Sequence, residues 1–295
     1  MRDEQRARIG DGAGFLAALD QSGGSTPKAL ELYGVPKSAY TDEREMFDLM
    51  QAFRARIITS PAFTGERILG AILFEQTMDR DIDGVPTPDY LWQRKSIVPF
   101  VKVDEGLADE SDGVRLMKPF TRLGPLLSRA GDRNIFGTKM RSFISRASAG
   151  GISAILDQQF DYAGEILDAG LVPILEPEID IHSPEKAYAE ELLRQGILDR
   201  LPTVPYDNQV MLKVSIPTVD DFYTELIDHP KVLRVVALSG GYSQQQADTR
   251  LARDHGLSAS FSRALVQDLR AQQTDAEFNR TLAAATAAIY AASTT

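Results

Sequence analysis

The chain has 295 residues, 43% of them hydrophobic, which is enough to bury a sizeable core as one large domain or two ordinary ones. It has no cysteine and three widely spaced histidines (His182, His229 and His255), which excludes disulfides, thiolate metal sites and cysteine nucleophiles and argues against a histidine-based zinc site. The formal net charge of -10 argues against a general nucleic-acid-binding surface but leaves room for a local basic pocket.

The sequence shows no targeting or membrane segment. Residues 1–6 are charged and lack the apolar stretch of a secretory signal. No apolar run approaches the roughly 18 residues that a membrane-spanning helix requires. We therefore expect a cytoplasmic protein that does not associate with membranes or nucleic acid. The sequence allows an oligomer without specifying one.

Eight apolar, strand-like runs recur along the chain with helical patterns between them. They cover residues 14–20, 67–74, 98–104, 134–140, 171–178, 209–217, 232–239 and 257–263. Alternating β and α units without a linker predict an α/β protein, a single (β/α)8 TIM barrel over residues 1–295 with a short N-terminal extension and a C-terminal helical segment. A doubly wound sheet is the alternative, but it usually has fewer strands and a glycine-rich fingerprint after the first.

Several intervening segments carry helix signals, such as capping residues, a terminal glycine or a run of alanines. They predict helices from a cap at Thr41 to about residue 57, over 162–170, from a cap at Ser183, over 243–247 and over 275–292.

Polar residues fall at the carboxyl ends of seven of the eight predicted strands, where a barrel of this kind has its active site. Because residues two apart on a strand share a face, Lys139 should face the same way as Arg141, and Glu176 the same way as Glu178. A single charge at a strand end is usually just solvated, but matched positions on seven strands favour one shared site. These residues are Asp20; Lys102 and Asp104; Lys139 and Arg141; Glu176, Glu178 and Asp180; Lys213 and Ser215; Ser239; and Arg263.

Three lysines of this set (Lys102, Lys139 and Lys213) suit covalent chemistry. Lys213 lies in the middle of an apolar run, and both burial and neighbouring cations disfavour an ammonium group. One of the three lysines should therefore attack a carbonyl as a free amine, and the residues alone leave open which one. Asp20, Glu176 and Glu178 would balance the charge and move the protons of imine formation. The simpler alternatives are a structural ion-pair network and a lysine that extends its amine into water.

Two serine–glycine loops predict phosphate binding. Ser239 and Gly240 follow the seventh strand, where barrels often bind phosphate, and Arg263 on the eighth strand would supply the facing cation. Ser22 and Ser25 lie in a second such loop after the first strand. Either loop alone is also an ordinary turn. Two loops flanking a lysine cluster predict a substrate with a phosphate at each end.

Taken together and in order, these motifs resemble class I (Schiff-base) fructose-1,6-bisphosphate aldolase of the short bacterial type. The resemblance implies a lyase of glycolysis and gluconeogenesis whose small-molecule partner is a sugar bisphosphate. It would cleave fructose 1,6-bisphosphate reversibly to dihydroxyacetone phosphate and glyceraldehyde 3-phosphate through a lysine imine, with no metal and no other cofactor. The motifs are residues 16–25, 101–104, 137–141, 173–178, 211–213 and 238–241.

The resemblance also implies a role for each catalytic residue. Lys213 would form the imine, and Glu176 would be the general acid and base during imine formation. Glu178 and Lys139 would support that lysine and the proton transfers. Asp20 would handle the 4-hydroxyl proton, or orient the lysines, as the C3–C4 bond breaks.

The phosphate contacts implied by the resemblance come from both loops and from charged strand ends. They are Ser239, Gly240 and Arg263 for the 1-phosphate; Ser22, Ser25 and Lys102 for the 6-phosphate; and Arg141 as a further substrate contact.

The sequence departs from the longer members of the family in two places. Those members end in a tyrosine that exchanges a proton at the carbanion, whereas here the last tyrosine is Tyr290, which we expect to be a packed helix residue. The first loop carries Gln21 and two glycines where longer members have acidic and hydroxyl residues, which leaves the 6-phosphate contacts open.

There are three alternatives to this function. A different lysine-imine aldolase, of the transaldolase or deoxyribose-phosphate aldolase type, uses one phosphate, so a strict need for two would separate it. A catalytically silent barrel would bind partners through its acidic surface, and an unreactive lysine would point to it. Metal-dependent aldolases share the barrel but need a histidine set that this chain lacks. The preferred ketose phosphate and the direction of flux stay open.

Overall fold

A computed structural model describes residues 1–22, 24–205 and 207–295, so Gly23 of the first serine–glycine loop lies outside the described residues. Eight parallel strands pair in chain order, β1 pairs with β8, and the pairing of β3 with β4 completes a closed barrel. The predicted TIM barrel is confirmed, and each predicted run overlaps one strand, although β4 and β5 extend beyond the ends of their runs. The strands are β1 (Phe15–Leu19), β2 (Ile68–Leu73), β3 (Val98–Lys102), β4 (Gly137–Ile144), β5 (Val172–Ile179), β6 (Val210–Ser215), β7 (Val232–Leu238) and β8 (Ser258–Phe261).

Helices cover the outside of the barrel and connect its strands. A two-residue strand, Val114–Arg115, extends the sheet antiparallel to β4. No helix within the three described ranges is long and apolar enough to cross a membrane. The α-helices are α1 (Arg2–Asp11), α2 (Thr26–Leu32), α3 (Glu43–Thr59), α4 (Glu75–Met78), α5 (Thr87–Asp89), α6 (Leu123–Asp132), α7 (Ala149–Asp168), α8 (Lys186–Arg200), α9 (Thr224–Ile227), α10 (Gln244–Leu251), α11 (Arg263–Val266) and α12 (Asp275–Ala292).

Three predicted helix starts are wrong: α7 begins at Ala149 rather than at residue 162, and two other starts are displaced by one to three residues. The cap of α3 is Asp42 rather than Thr41, because the Asp42 carboxylate accepts the backbone N–H of Glu45 at 2.8 Å. The Thr41 hydroxyl instead donates to the Glu45 carboxylate at 2.7 Å. Helix α8 begins at Lys186, because the two residues after Ser183 form a turn before the helix. By contrast, α12 has the predicted bounds.

The lower half of the barrel interior is an apolar floor. Leu16, Phe100, Ile174 and Met211 belong to one buried cluster inside the strands. Two residues further along the strand, the same inward face carries a charged side chain on β3, β5 and β6 (Lys102, Glu176 and Lys213). Helix α1 packs beneath this floor, held by Arg234, which donates to backbone carbonyls at the end of α1. The fold therefore seals one end of the barrel and leaves the charged end for chemistry.

The floor depends on Gly137, which makes room for a neighbouring ring. A Cβ at Gly137 would lie 2.2 Å from the carbonyl oxygen of Val172 and 2.9 Å from the Phe100 ring. We expect Gly137→Ala to lower the free energy of unfolding by about 1–3 kcal/mol, because overpacking forces the backbone to shift. Urea denaturation measures this. Gly164→Ala, in open space on α7, is the control and should raise stability by about 0.5–1 kcal/mol. Equal stability of Gly137→Ala and the parent would contradict tight packing here.

Candidate active site

Lys139 lies at the centre of the charged layer above the floor. Its Nζ is 2.7 Å from Asp20 Oδ2, 3.0 Å from Glu176 Oε2 and 3.7 Å from Asp104 Oδ2. The lysine is 3% exposed. Side chains from β1, β3, β4 and β5 therefore meet at one ammonium group, as expected for strands whose carboxyl ends share one rim of a barrel.

Glu176 joins this ammonium group to a second lysine. Its Oε1 lies 2.8 Å from Lys213 Nζ, while Oε2 is the atom that faces Lys139. Lys213 is 4% exposed and Glu176 is 3% exposed. A carboxylate within hydrogen-bond reach of a buried amine can take or return its proton. The pair therefore has the geometry of a nucleophile and its acid–base partner.

The electrostatics of the layer favour charged groups around Lys139. Burial alone would lower the pKa of Lys139, but attraction to Asp20, Glu176 and Asp104 raises it well above its usual value. Burial alone would raise the pKa of Asp20, but Lys139 and Lys213 lower it well below the usual range. The pKa of Glu176 is also lowered, since the same two lysines outweigh its burial. The prediction that the three lysines lower one another's pKa is therefore wrong for Lys139, because the carboxylates around it raise its pKa.

Two further ion pairs flank this centre. Lys102 Nζ lies 2.6 Å from Asp104 Oδ1 and donates to the Asp104 carbonyl oxygen at 2.7 Å. Arg141 pairs with Glu178, and its guanidinium lies 5.5 Å from the centre of the Phe143 ring. All three predicted lysines and four of the five predicted carboxylates thus belong to one layer, with the Arg141–Glu178 pair at its more exposed edge. The fifth, Asp180, instead accepts the backbone N–H of His182 at 2.9 Å.

The two serine–glycine loops border the layer. Ser239 is buried at the end of β7, and Gly240 and Gly241 have φ angles of 59° and 121°. A Cβ at Gly240 would lie 2.4 Å from Ile181 Cγ2, so a glycine is required there. Arg263 is exposed at the start of α11. This loop therefore combines a hydroxyl with a sharp backbone turn, and Arg263 follows the neighbouring strand β8.

The loop after β1 is closed on itself and tied to β8. The backbone N–H of Ser22 donates to Ser25 Oγ at 3.1 Å, and Ser25 Oγ donates to the Ser22 carbonyl at 3.2 Å. Gln21 Nε2 donates to Ser262 Oγ at 2.8 Å. Because Ser262 precedes Arg263, this bond connects the residues that follow β1 with those that follow β8.

The chain is similar over its whole length to known proteins. It is 57% identical over 293 residues to the class 1 fructose-bisphosphate aldolase of Porphyromonas gingivalis, covering 99% of both chains. The same-named protein of Synechocystis is 57% identical over 292 residues (99% of this chain, 97% of the relative). That of Clostridium acetobutylicum is 55% identical over 295 residues, covering 100% of both. The chain belongs to the class 1 fructose-bisphosphate aldolases. The resemblance and the lyase class predicted from the sequence are therefore confirmed.

Solved structures agree on the fold of this aldolase. A fructose-bisphosphate aldolase from Plasmodium falciparum matches with a TM-score of 0.78 at 18% identity, covering 100% of this chain and 95% of that one. Cgl0159 of Corynebacterium glutamicum matches with a TM-score of 0.56 at 13% identity, covering 99% and 92%. Likeness at such low identity supports the barrel alone. No family model matches the chain.

One positioning contact of the aldolase site was missed in the sequence. Ser215, on β6, accepts the N–H of Ile179 at 3.0 Å and donates to its carbonyl at 2.6 Å. Backbone pairing of β5 with β6 covers residues 174–175 and 211–212, nearer the floor. The Ser215 hydroxyl therefore holds the two strands together at the end where Glu176 and Lys213 meet. Its strand-end position was noted in the sequence, but nothing there indicates a partner on β5.

Two further features of the structure concern possible metal ligands and Tyr290. In the part of the aldolase that the structure describes, no group of three or more His, Cys, Asp or Glu side chains is placed to hold a metal ion. Tyr290 lies on α12 and packs, partly buried, against the main hydrophobic core.

Proposed function

We propose that this aldolase cleaves fructose 1,6-bisphosphate reversibly to dihydroxyacetone phosphate and glyceraldehyde 3-phosphate through an imine on Lys213. The observation that carries the proposal is the buried contact of 2.8 Å between Lys213 Nζ and Glu176 Oε1. Among the three lysines of the layer, Lys139 is surrounded by carboxylates and Lys102 is held by Asp104. Lys213 has the contact that suits a nucleophile with its own acid–base partner.

The first half of the reaction uses Lys213 and Glu176. Glu176 first takes a proton from the Lys213 ammonium group, and the neutral amine then attacks C2 of the ketose. A proton moves from the new nitrogen centre to the former carbonyl oxygen, which gives the carbinolamine. Protonated Glu176 then donates its proton to the carbinolamine hydroxyl, which departs as water and leaves a protonated imine. The protonated imine withdraws electrons from the neighbouring C3–C4 bond, so an organic cation supplies the electron sink. We propose that no metal ion is needed.

The second half breaks the C3–C4 bond. Asp20 removes the 4-hydroxyl proton, the aldehyde product leaves, and C3 retains the electron pair as an enamine. Protonation at C3 and hydrolysis of the imine then release the second triose phosphate and restore Lys213. Lys139 stays charged throughout, because its pKa is raised by Asp20 and Glu176, and its ammonium group binds both carboxylates, at 2.7 Å and 3.0 Å. Glu178 would support the proton transfers from its pair with Arg141.

We assign one phosphate of the substrate to each serine–glycine loop. The contacts are Ser239, Gly240 and Arg263 for the 1-phosphate; Ser22, Ser25 and Lys102 for the 6-phosphate; and Arg141 for the sugar. Two of these seven residues already lie in ion pairs. Lys102 would leave Asp104 to bind phosphate, and Arg141 would stay paired with Glu178 at the rim.

We further propose that residues 1–295 form one barrel domain, with α1 as the N-terminal extension and α12 as the C-terminal segment.

Borohydride trapping tests the imine directly. We expect dihydroxyacetone phosphate plus borohydride to leave a stable adduct on the peptide that contains Lys213, found by mass mapping, with and without a chelator. Cleavage activity should be the same in chelator. An adduct on Lys102 or Lys139 would keep the imine chemistry and overturn the assignment of roles. No adduct, despite sugar phosphate binding, would indicate a silent barrel.

A further inference from the structure

Arg54 is a buried cation behind the loop that follows β1. It lies on α3, outside the barrel, and is 2% exposed. Its Nη2 donates to the Gln21 carbonyl oxygen at 2.5 Å and its Nη1 donates to Thr77 Oγ1 at 2.8 Å. Its Nε is buried without a hydrogen-bond partner among the described residues. The mechanism above gives this residue no part.

The charge of Arg54 is not balanced by a salt bridge. Across the described ranges, no carboxylate oxygen lies within 4.0 Å of its guanidinium. Burial lowers the pKa of Arg54 to about 10, with Asp20 acting in the opposite direction, so the group is still charged at neutral pH. An unpaired buried charge is strongly unfavourable for folding. Its presence behind the β1 loop, a proposed phosphate-binding loop, is explained if an anionic ligand at that loop balances the charge.

Arg54 connects the ends of three neighbouring strands. Gln21 lies between Asp20 and Ser22, directly after β1, and its side chain reaches Ser262 after β8. Thr77 follows β2. A single guanidinium therefore fixes the backbone between a proposed catalytic carboxylate and a proposed phosphate contact.

The charged layer is neutral overall, so the added charge of Arg54 affects how strongly the site attracts a phosphate dianion. Its four carboxylates face four cations, so the layer has no net charge to attract a phosphate dianion. Arg54 adds one positive charge on the side of the β1 loop. The members of the layer are Asp20, Asp104, Glu176 and Glu178 with Lys102, Lys139, Lys213 and Arg141.

We propose that Arg54 is a positioning and specificity residue for the second phosphate of the substrate: it fixes the β1 loop through the Gln21 carbonyl, and its unbalanced charge raises the affinity of that loop for a phosphate dianion. The proposal rests on the assignment of the 6-phosphate to Ser22 and Ser25. It makes Arg54 a reason for preferring a ketose bisphosphate over a ketose monophosphate.

The test compares fructose 1,6-bisphosphate with fructose 1-phosphate, which lacks the second phosphate. Arg54→Met should lower kcat/KM for the bisphosphate by about 30–100-fold, mainly through KM, since charge-assisted contacts are lost. The monophosphate value should change less than about 3-fold, because its phosphate binds at the other loop. Arg54→Lys should be intermediate. The matched control is Arg56→Met on the same helix; Arg56 bonds to Tyr33 and to backbone near α12, so both substrates should respond alike.

A binding measurement separates this proposal from the imine mechanism. Calorimetry with hexitol 1,6-bisphosphate and hexitol 1-phosphate, which have no carbonyl, should show the loss in Arg54→Met for the bisphosphate alone. Trapping of dihydroxyacetone phosphate on Lys213 should persist in the variant. Equal losses for both hexitols would overturn the specificity role and leave a structural one, whereas absence of trapping in the parent would overturn the imine instead. If Arg54→Met does not fold, Thr77→Val keeps the charge and releases one anchor; an unchanged bisphosphate KM in that variant would contradict the positioning role.

Discussion

Lys213→Met is expected to lower kcat for fructose 1,6-bisphosphate cleavage by at least about 10⁴-fold, because methionine cannot form an imine and the C3–C4 bond then has no electron sink. Binding of the bisphosphate should weaken much less, since both proposed phosphate loops are unchanged. The effect should therefore fall on kcat rather than on KM. A coupled assay for glyceraldehyde 3-phosphate measures it, and borohydride trapping should label no peptide.

Two controls make the Lys213 result specific. Lys28→Met removes an exposed lysine and should leave the rate unchanged. Lys213→Arg keeps a positive charge beside Glu176 but cannot form the imine, so it should be as inactive as Lys213→Met. Substantial activity in Lys213→Arg would show that the charge matters and the nucleophile lies elsewhere.

Lys139→Met should destabilise the fold by about 3–5 kcal/mol at neutral pH, because it leaves buried carboxylates without their central cation. Asp20 lies 2.7 Å and Glu176 lies 3.0 Å from the ammonium that would be lost. The two carboxylates are then left to repel one another in a low-dielectric setting. Activity should fall as well, since the carboxylates that move protons would no longer be held apart.

The stability difference between the parent and Lys139→Met should depend on pH. In the parent, the pKa values of Asp20 and Glu176 are lowered on folding, so both add stability above their unfolded pKa of about 4. That contribution is lost as the pH falls through the folded values. Without Lys139, burial should raise the pKa of Asp20 above its unfolded value, whereas Lys213 still faces Glu176. The variant should therefore lose stability as the pH rises through the pKa of Asp20. The difference between parent and variant should therefore be largest at neutral pH and shrink towards about pH 4.

Denaturant unfolding at several pH values measures the Lys139 effect. Lys139→Arg keeps the positive charge and should recover most of the stability, although its larger head group will fit imperfectly. A constant stability difference from pH 4 to 7 would mean that Lys139 contributes through packing and not through its charge.

The sequence predicts the composition of the charged layer well, for a simple geometric reason. Strands of a parallel barrel point the same way, and alternate residues face inward. A polar residue two positions after an inward apolar residue therefore also faces inward, one layer closer to the carboxyl end of the strand. Lys102, Glu176 and Lys213 are all of this kind.

The partners within the layer could not be predicted from the sequence. Asp20 follows β1 and Lys139 lies on β4, two strands that are not neighbours in the sheet, so no local pattern indicates that they touch. The expected mutual effect of the lysines failed at Lys139 because carboxylates, and not lysines, are its nearest charges. Arg54 was missed for another reason: it comes from a helix outside the barrel, where arginine usually faces water.

The apolar floor has a practical consequence for engineering this enzyme. Phe100, Ile174 and Met211 determine how tightly the strands pack, whereas the proposed reacting groups stand one layer higher on the same strands. Heat tolerance could therefore be selected in the lower layer, and substrate range in the upper one, in separate rounds of mutation. Variants of one kind should combine with variants of the other almost additively, provided that they share no contact.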